Sequence, residues 1–270
     1  MINTTGLSTM QALTLINRER DTFEEGVKND VTAKREISAF RERIGSISNV
    51  DELMADYEVF SFVLKSVGMG DQVYAKGMIK KILTSDETDS KSLVNKLTNP
   101  ANKILFNALE FDTEGNASSN FQDAKWVENM VGMYVDQQLV DSQGEINASL
   151  GDALSFQRNT AKFTSWYKVL ADKDASRVLR VALGIPESVA SGDIDAQKRL
   201  FEKKMDIADL QDPAKVQKLL RQYAAIEDAN NNSTRTTSLL SLFSSAASSG
   251  TYSPILLDID MVSAWSNRYR

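Results

Sequence analysis

The chain has 270 residues, 42% hydrophobic and 25% charged, with a formal net charge of −6 and neither cysteine nor histidine. That length buries a real core, as one large domain or two small ones, and the balance is that of a folded protein. Without cysteine there are no disulfides, iron–sulfur clusters or thiolate nucleophiles; without histidine there is no Ser-His-Asp triad, Cys-His dyad or ordinary zinc site. Any catalysis would run on carboxylates, Lys, Tyr or Ser, and any metal would be a hard cation held by oxygen, so neither an enzyme nor a cofactor is expected. The acidic balance and the lack of a Lys or Arg block argue against a nucleic-acid partner. The apolar runs fall far short of the roughly 18 residues of a membrane span. Residues 1–17 carry no positive charge ahead of their weakly apolar stretch, which is unlike a secretory signal. The expectation is a cytoplasmic protein, or one exported without a cleaved signal peptide.

Proline stands only at Pro100, Pro186, Pro213 and Pro254, which leaves room for many helices. Residues 1–32 read as an N-terminal arm. Leu53, Tyr57, Phe60, Leu64 and Val67 step by four, three, four and three, one apolar stripe, with Asn49 and Asp51 as capping residues and Gly68 as the stop. Residues 73–83 repeat the pattern through Met78, Ile79 and Ile82. Asp89 or Ser90 caps a third helix with Leu93, Val94 and Leu97, ending before Pro100, and a fourth carries Ile104, Leu105 and Leu109. Residues 112–120 read as a loop. The helical pattern resumes over 121–139 with Val127, Met130, Val131, Tyr134 and Val135. Residues 141–144 read as a turn and 148–170 as one long helix, with Leu150, Leu154, Phe163, Tyr167 and Leu170.

After Tyr223 the texture changes. Residues 230–237 are polar and read as flexible; 236–249 are Ser-rich with an apolar face of Leu239, Leu240, Leu242 and Phe243; Pro254 opens a last apolar segment over 255–265. This tail is an arm that folds back on the body or a segment that a partner binds. Leu239, Leu240, Leu242, Phe243, Ile255, Leu256 and Trp265 are the candidate partner-binding residues.

Residues 56–69 (DYEVFSFVLKSVGM) and 172–185 (DKDASRVLRVALGI) share an opening Asp, one apolar face and a closing Gly followed by an apolar residue. The offset is 116 from Asp56 to Asp172 and again from Gly68 to Gly184. Further on, 79–83 (IKKIL) resembles 201–205 (FEKKM), and 89–93 resembles 212–216, each of the last two opened by a capping Asp. These spacings predict a duplication.

The motifs that carry chemistry are weak. Residues 165–168 (SWYK) match the S-x-x-K nucleophile pattern, but its Ser-Asp-Asn and Lys-Thr-Gly companions are missing, and the match sits inside a predicted helix. Gly68-Met69-Gly70-Asp71 follows a helix rather than the strand that a phosphate loop needs. Asp112, Glu114, Asn116 and Asp123 take positions 1, 3, 5 and 12 of an EF-hand-like loop, yet Ala117 stands where the turn glycine is required; Asp141, Gln143, Glu145 and Asp152 share the flaw. Asp86, Glu87 and Asp89 read as a solvated cluster at a helix start.

Residues 57–83 (YEVFSFVLKSVGMGDQVYAKGMIKKIL) resemble an alphaproteobacterial family of unknown function with a Y-x-x-x-x-x-x-L-K-x-x-G-L pattern followed by A-K-x-x-x-x-K-x-L. Residues 153–158 (ALSFQR), 170–172 (LAD) and 183–186 (LGIP), with Asp209-Leu210-x-Asp212-Pro213, resemble further landmarks of that family in order. The resemblance spans roughly 30–225 and departs mildly at Met69 and Ile185, where the family has Leu. It implies a helical fold. Because the genes of that family often lie in flagellar gene clusters, it also implies a place in flagellar assembly, structure or regulation, with no catalytic residues to carry over.

The expected fold is all-α: two related multi-helix modules, 33–112 and 148–228, joined by a loop and helix over 113–147. They pack as an elongated or bilobed helical domain with flexible arms at 1–32 and 229–270. The expected function is protein–protein contact without catalysis, as a flagellar assembly factor or exported structural component. The alternatives are a carboxylate-based enzyme or calcium-binding module, and a regulator of flagellar gene expression acting through protein contacts.

Overall fold

The computed structural model describes the backbone of residues 3–247 and the side chains of residues 3–231. Among the described residues the fold is all-α, with a lone antiparallel bridge between Asn49 and Asn116. The helices are α1 (Thr9–Arg18), α2 (Arg20–Lys28), α3 (Val31–Arg43), α4 (Val50–Ala55), α5 (Tyr57–Ser66), α6 (Lys76–Leu83), α7 (Leu93–Lys96), α8 (Pro100–Leu109), α9 (Ala124–Ile146), α10 (Ala148–Asn159), α11 (Trp166–Ala171), α12 (Lys173–Ala182), α13 (Ile194–Glu202) and α14 (Pro213–Ala247). The chain divides into a unit of residues 1–228 and a second of 229–270. The N-terminal part of α14, through Asp228, belongs to the first unit.

Short polar side chains set the helix starts. Ser8 forms a capping box with Gln11, Asp30 accepts from the amides of Thr32 and Ala33, and Asn99 caps α8 with Pro100 at the first position. Each supplies an acceptor to amides that the helix itself leaves unpaired.

Four expectations are corrected. Residues 1–32 are not an arm: Leu13, Ile16, Phe23 and Val27 of α1 and α2 are buried in the main core. The stripe from Leu53 to Val67 is two helices, because the Asp56 carboxylate accepts from the Val59 amide at 3.2 Å and starts α5; Tyr57 is then 55% exposed rather than in the core. The long helix over 148–170 is also broken, by a 3-10 turn at Thr160–Lys162 and a fresh start capped by Ser165. The turn expected at 141–144 lies within α9. Gly144 serves contact there, not termination: a Cβ on Gly151 of α10 would sit 2.6 Å from the Gly144 Cα. The chain reverses three residues later at Asn147, whose side-chain Oδ1 accepts from the amides of Ser149 and Leu150.

The repeat extends further than the sequence suggested. The 3-10 turns Ile44–Ser46 and Thr160–Lys162 lie 116 positions apart. So do the six-residue helices α4 and α11, with caps Asn49 and Ser165, and the ten-residue helices α5 and α12, with caps Asp56 and Asp172. Both ten-residue helices end in the same motif: Met69 N donates to Leu64 O and Ile185 N to Arg180 O, each at 2.8 Å, around Gly68 and Gly184, whose φ values are 76° and 64°. This is a Schellman close, which needs a left-handed residue and so favours glycine. The buried positions of α5 (59, 60, 62, 63, 64, 66) recur on α12 at 175, 176, 178, 179, 180 and 182. α3 and α10 correspond too: the buried positions 33, 37 and 40 recur at 149, 153 and 156, although the Asx caps that open the two helices, Asp30 and Asn147, stand one residue out of that register.

Beyond the Schellman turn the pairing differs from the sequence alignment. α6 corresponds to α13, whose buried residues are Gln197 and Phe201, whereas 203–205 lie past the helix end. Asp212-Pro213 corresponds to Asn99-Pro100, each with its side chain accepting at 2.9 Å from the amide of Ala214 or Ala101. The 116-residue register therefore holds only through residues 33–69.

The residues 113–147 expected as a connection contain the most central element. α9 packs on α2, α5 and α10. Phe62 of α5 stacks between Phe40 and Tyr134, with ring centroids 4.2 and 4.4 Å away. The Tyr134 hydroxyl donates to Glu36 at 2.8 Å, and Lys65 donates to the other Glu36 oxygen at 2.7 Å. Burial and the neighbouring Glu36 carboxylate raise the Tyr134 phenol well above its ordinary value, so it stays a neutral donor.

Candidate functional site

The densest cluster of reactive side chains joins α10, α12 and α14. Arg177 pairs with Asp152, and donates from Nη1 to the Tyr223 hydroxyl at 2.8 Å and from Nη2 to Glu227 at 3.0 Å. Ser149 donates to the same Glu227 oxygen at 2.6 Å, and Tyr223 donates to Asp152 at 3.3 Å. Burial raises the Asp152 carboxyl against the pull of Arg177; burial, then Asp152, raises the Tyr223 phenol. The arginine is shared between two carboxylates, and each polar head has its partner, so the cluster clasps the three helices together.

The clasp continues at Asp228, which accepts from the amides of Thr9 at 2.7 Å and Met10 at 3.1 Å, the first turn of α1. Asn147 donates to the Thr9 hydroxyl at 3.0 Å. Partial burial opposes the charge, but the bonds from Met10, Thr9 and Ser8 prevail and hold the Asp228 carboxyl below its ordinary value. A depressed carboxyl contributes stability above its unfolded pKa and loses it as the pH falls through the folded one. Asp228→Asn is therefore expected to cost about 0.5–2 kcal/mol at neutral pH. The gap from the parent should close as urea titrations move into the acid range below the usual aspartate value; a gap that is constant with pH would mean that the charge is idle.

A pocket of about 230 Å³ is lined by Lys65, Gly68, Gly70, Asp71, Gln137 and Asp141. It is below the roughly 300–1,000 Å³ of ordinary ligand sites, and its groups are committed: Gln137 accepts from Arg158 at 2.5 Å and donates to Asp141 at 2.7 Å, while Lys65 is paired with Glu36. The Gly68 turn is pressed against Gln137, 3.1 Å from where a Cβ would stand.

The sequence motifs fall into structural roles. Ser165 caps α11, accepting from the Lys168 amide, and Lys168 Nζ donates to Thr164. Gly68-Met69-Gly70 closes α5 and enters a 3-10 turn. The Asp112 carboxylate accepts from the Glu114 and Asn116 amides and from the Asn116 side chain, so its own loop occupies it. Asp141, Gln143 and Glu145 lie on α9 and Asp152 on α10, not in a loop. Asp86 accepts from Thr88, Asp89 from the Lys91 amide, and Glu87 pairs with Lys103 at 3.3 Å. Among the described residues no three acidic side chains converge to hold a metal, and no helix is long and apolar enough to cross a membrane.

Leu239, Leu240, Leu242 and Phe243 lie on the C-terminal part of α14, where side chains fall outside the described residues. Ile255, Leu256 and Trp265 lie outside the described residues altogether. Of the clasp residues, sequence reasoning singles out only Asp152, and for a calcium-loop pattern; as a set they escape it because they are spread from 149 to 227 and match no motif together, and their one local sign is the spacing of Tyr223 and Glu227, a helical turn apart.

These features define an all-α protein with an internal helical repeat held by polar clasps. The chain belongs to a family described as a protein of unknown function, DUF1217, whose profile matches residues 66–216. It is similar to the crystal structure of a protein from Agrobacterium tumefaciens, with 31% sequence identity and a TM-score of 0.74 over 83% of this chain and 94% of that one. The comparison with curated sequences returns no match.

Proposed function

We propose that the protein works by protein–protein contact, without catalysis, as an assembly factor or exported component of the bacterial flagellum. The observation that carries the contact reading is the course of α14. The first unit ends at Asp228, yet the helix runs on to Ala247, through a sequence whose Leu239, Leu242 and Phe243 recur at helical spacing. An apolar stripe on a helix suits a partner's groove. The clasp supports the absence of catalysis, since its acids and bases neutralise one another. The flagellar assignment is supported by the gene neighbourhood of the family that the sequence resembles.

Deleting residues 236–270 is expected to leave the unfolding midpoint of the first unit unchanged and to abolish co-purification of the partner. Loss of cooperative unfolding in the truncated chain would sink the idea. Fractionating the tagged protein in its host, with and without a working flagellar export apparatus, tests the assignment. Export-dependent recovery in flagella or medium marks an exported component. Cytoplasmic recovery together with flagellar proteins marks an assembly factor. Recovery with no flagellar protein in either strain overturns it.

A further inference from the structure

The second repeat holds two polar residues where the first holds core. Phe60 and Leu64 on the buried face of α5 are 1% and 0% exposed; 116 positions on, Ser176 and Arg180 of α12 are 5% and 7% exposed. The exchange is coordinated: serine is far smaller than phenylalanine, and the Arg180 side chain lies against it, its Nη1 donating to the Ser176 hydroxyl. The rest of the guanidinium is poorly served. Nη2 reaches Glu187 only at 3.4 Å, the Glu187 side chain is 71% exposed, and Nε has no partner. A buried charge with an unpaired donor and a solvated counter-ion is costly, and an apolar residue of similar size is often the more stable choice. Leu64 is that choice in the first repeat. Departures from packing rules of this kind concentrate at functional sites.

We propose that Ser176 and Arg180 form a carboxylate-binding site in which Glu187 is an internal stand-in. Glu187 opens the 3-10 turn Glu187–Ser191 just after Pro186, and its solvated side chain can swing out with no change of backbone. An incoming carboxylate then takes the planar guanidinium fork, which fits it in two parallel bonds, with Nε supplying the donor that Glu187 leaves unused. The ligand is a free carboxylic acid or an acidic side chain of a protein. The site is independent of the reading of the C-terminal segment.

The test titrates the full chain with succinate and, separately, with a short polyglutamate peptide at constant ionic strength, following the heat of binding by calorimetry for every variant and, in the parent and Glu187→Gln, the Arg180 Nε–H resonance by NMR. Saturable shifts are expected. Glu187→Gln should bind about tenfold tighter, because the internal competitor is gone. Arg180→Lys, which keeps the charge and loses the fork, should bind at least about tenfold more weakly. Arg180→Leu should bind neither ligand while its Tm stays level or rises, which separates loss of a site from loss of fold. Equal affinities for the two probes assign a free acid, and a clear preference for the peptide assigns a protein partner. Equal responses from the parent and Arg180→Leu, or no gain in Glu187→Gln, overturn the proposal.

Discussion

Replacing Phe62 by alanine is expected to lower stability by about 3–5 kcal/mol, the range for emptying a buried phenylalanine site. The ring lies between Phe40 and Tyr134, and these come from α3 and α9, so the cavity opens where three helices meet. The flanking rings are fully buried and fixed by their own neighbours; Tyr134 is tied to Glu36, which limits collapse into the gap. The second repeat supplies the control. Val178 occupies the position equivalent to Phe62 and is equally buried. Val178→Ala removes only two methyl groups' worth of apolar surface, about 1.5–2 kcal/mol at the usual value per buried carbon. Guanidinium titrations of both variants at constant slope decide the matter. Equal losses would show that the Phe62 ring is not buried and stacked as described.

Gly151→Ala is expected to be a damaging single-methyl addition, with the tightest backbone approach of any of the glycines compared among the described residues. Its Cβ would lie 2.6 Å from the Cα and 3.3 Å from the amide nitrogen of Gly144. The obstacle is backbone, which no rotamer change can move aside, so α9 and α10 would have to separate near their junction at Asn147. Overpacking of this kind costs about 1–3 kcal/mol or more. Gly144→Ala differs in sign. Its Cβ would meet the Gly151 Cα at 3.5 Å, an ordinary contact, and alanine gains about 0.5–1 kcal/mol over glycine inside a helix. A thermal scan that placed both variants below the parent by the same amount would show that the two helices do not meet as closely as described.

The parts of the fold that were legible were those with punctuation at fixed spacing. Gly68 and Gly184 mark left-handed stops, a chemical requirement as well as a statistical preference, and the Asp at 56 and 172 was visible as a landmark of the repeat, though not as the start of a new helix. The breaks at Asp56 and around Asn159–Ser165 were hidden because apolar residues continue at three- and four-residue steps across them. A cap that restarts a helix leaves that period almost intact. Gly144 misled for a different reason: glycine ends helices and also lets them touch, and local sequence does not separate the two uses. The N-terminal segment did carry a signal in Leu13, Ile16, Phe23 and Val27, a core-facing pattern that outweighs its polar average. The clasp at Arg177 had little beyond the one-turn spacing of Tyr223 and Glu227, since its five residues come from three helices and are joined only by the tertiary fold. The Ser176–Arg180 pair becomes conspicuous only once the repeat supplies Phe60 and Leu64 for comparison.

The position of α9 has a consequence for how the first unit holds together. This helix opens the second repeat against α10, as α2 opens the first against α3, and it also covers α5 of the first repeat. One helix is thus common property of both halves. Neither half can melt while its neighbour stays native, because the loss of α9 strips Phe62 on one side and the Gly151 contact on the other. Duplicated architectures often behave as beads, each opening on its own. Here the shared helix welds the two copies into a single cooperative body, in which a lesion in either copy is felt by both.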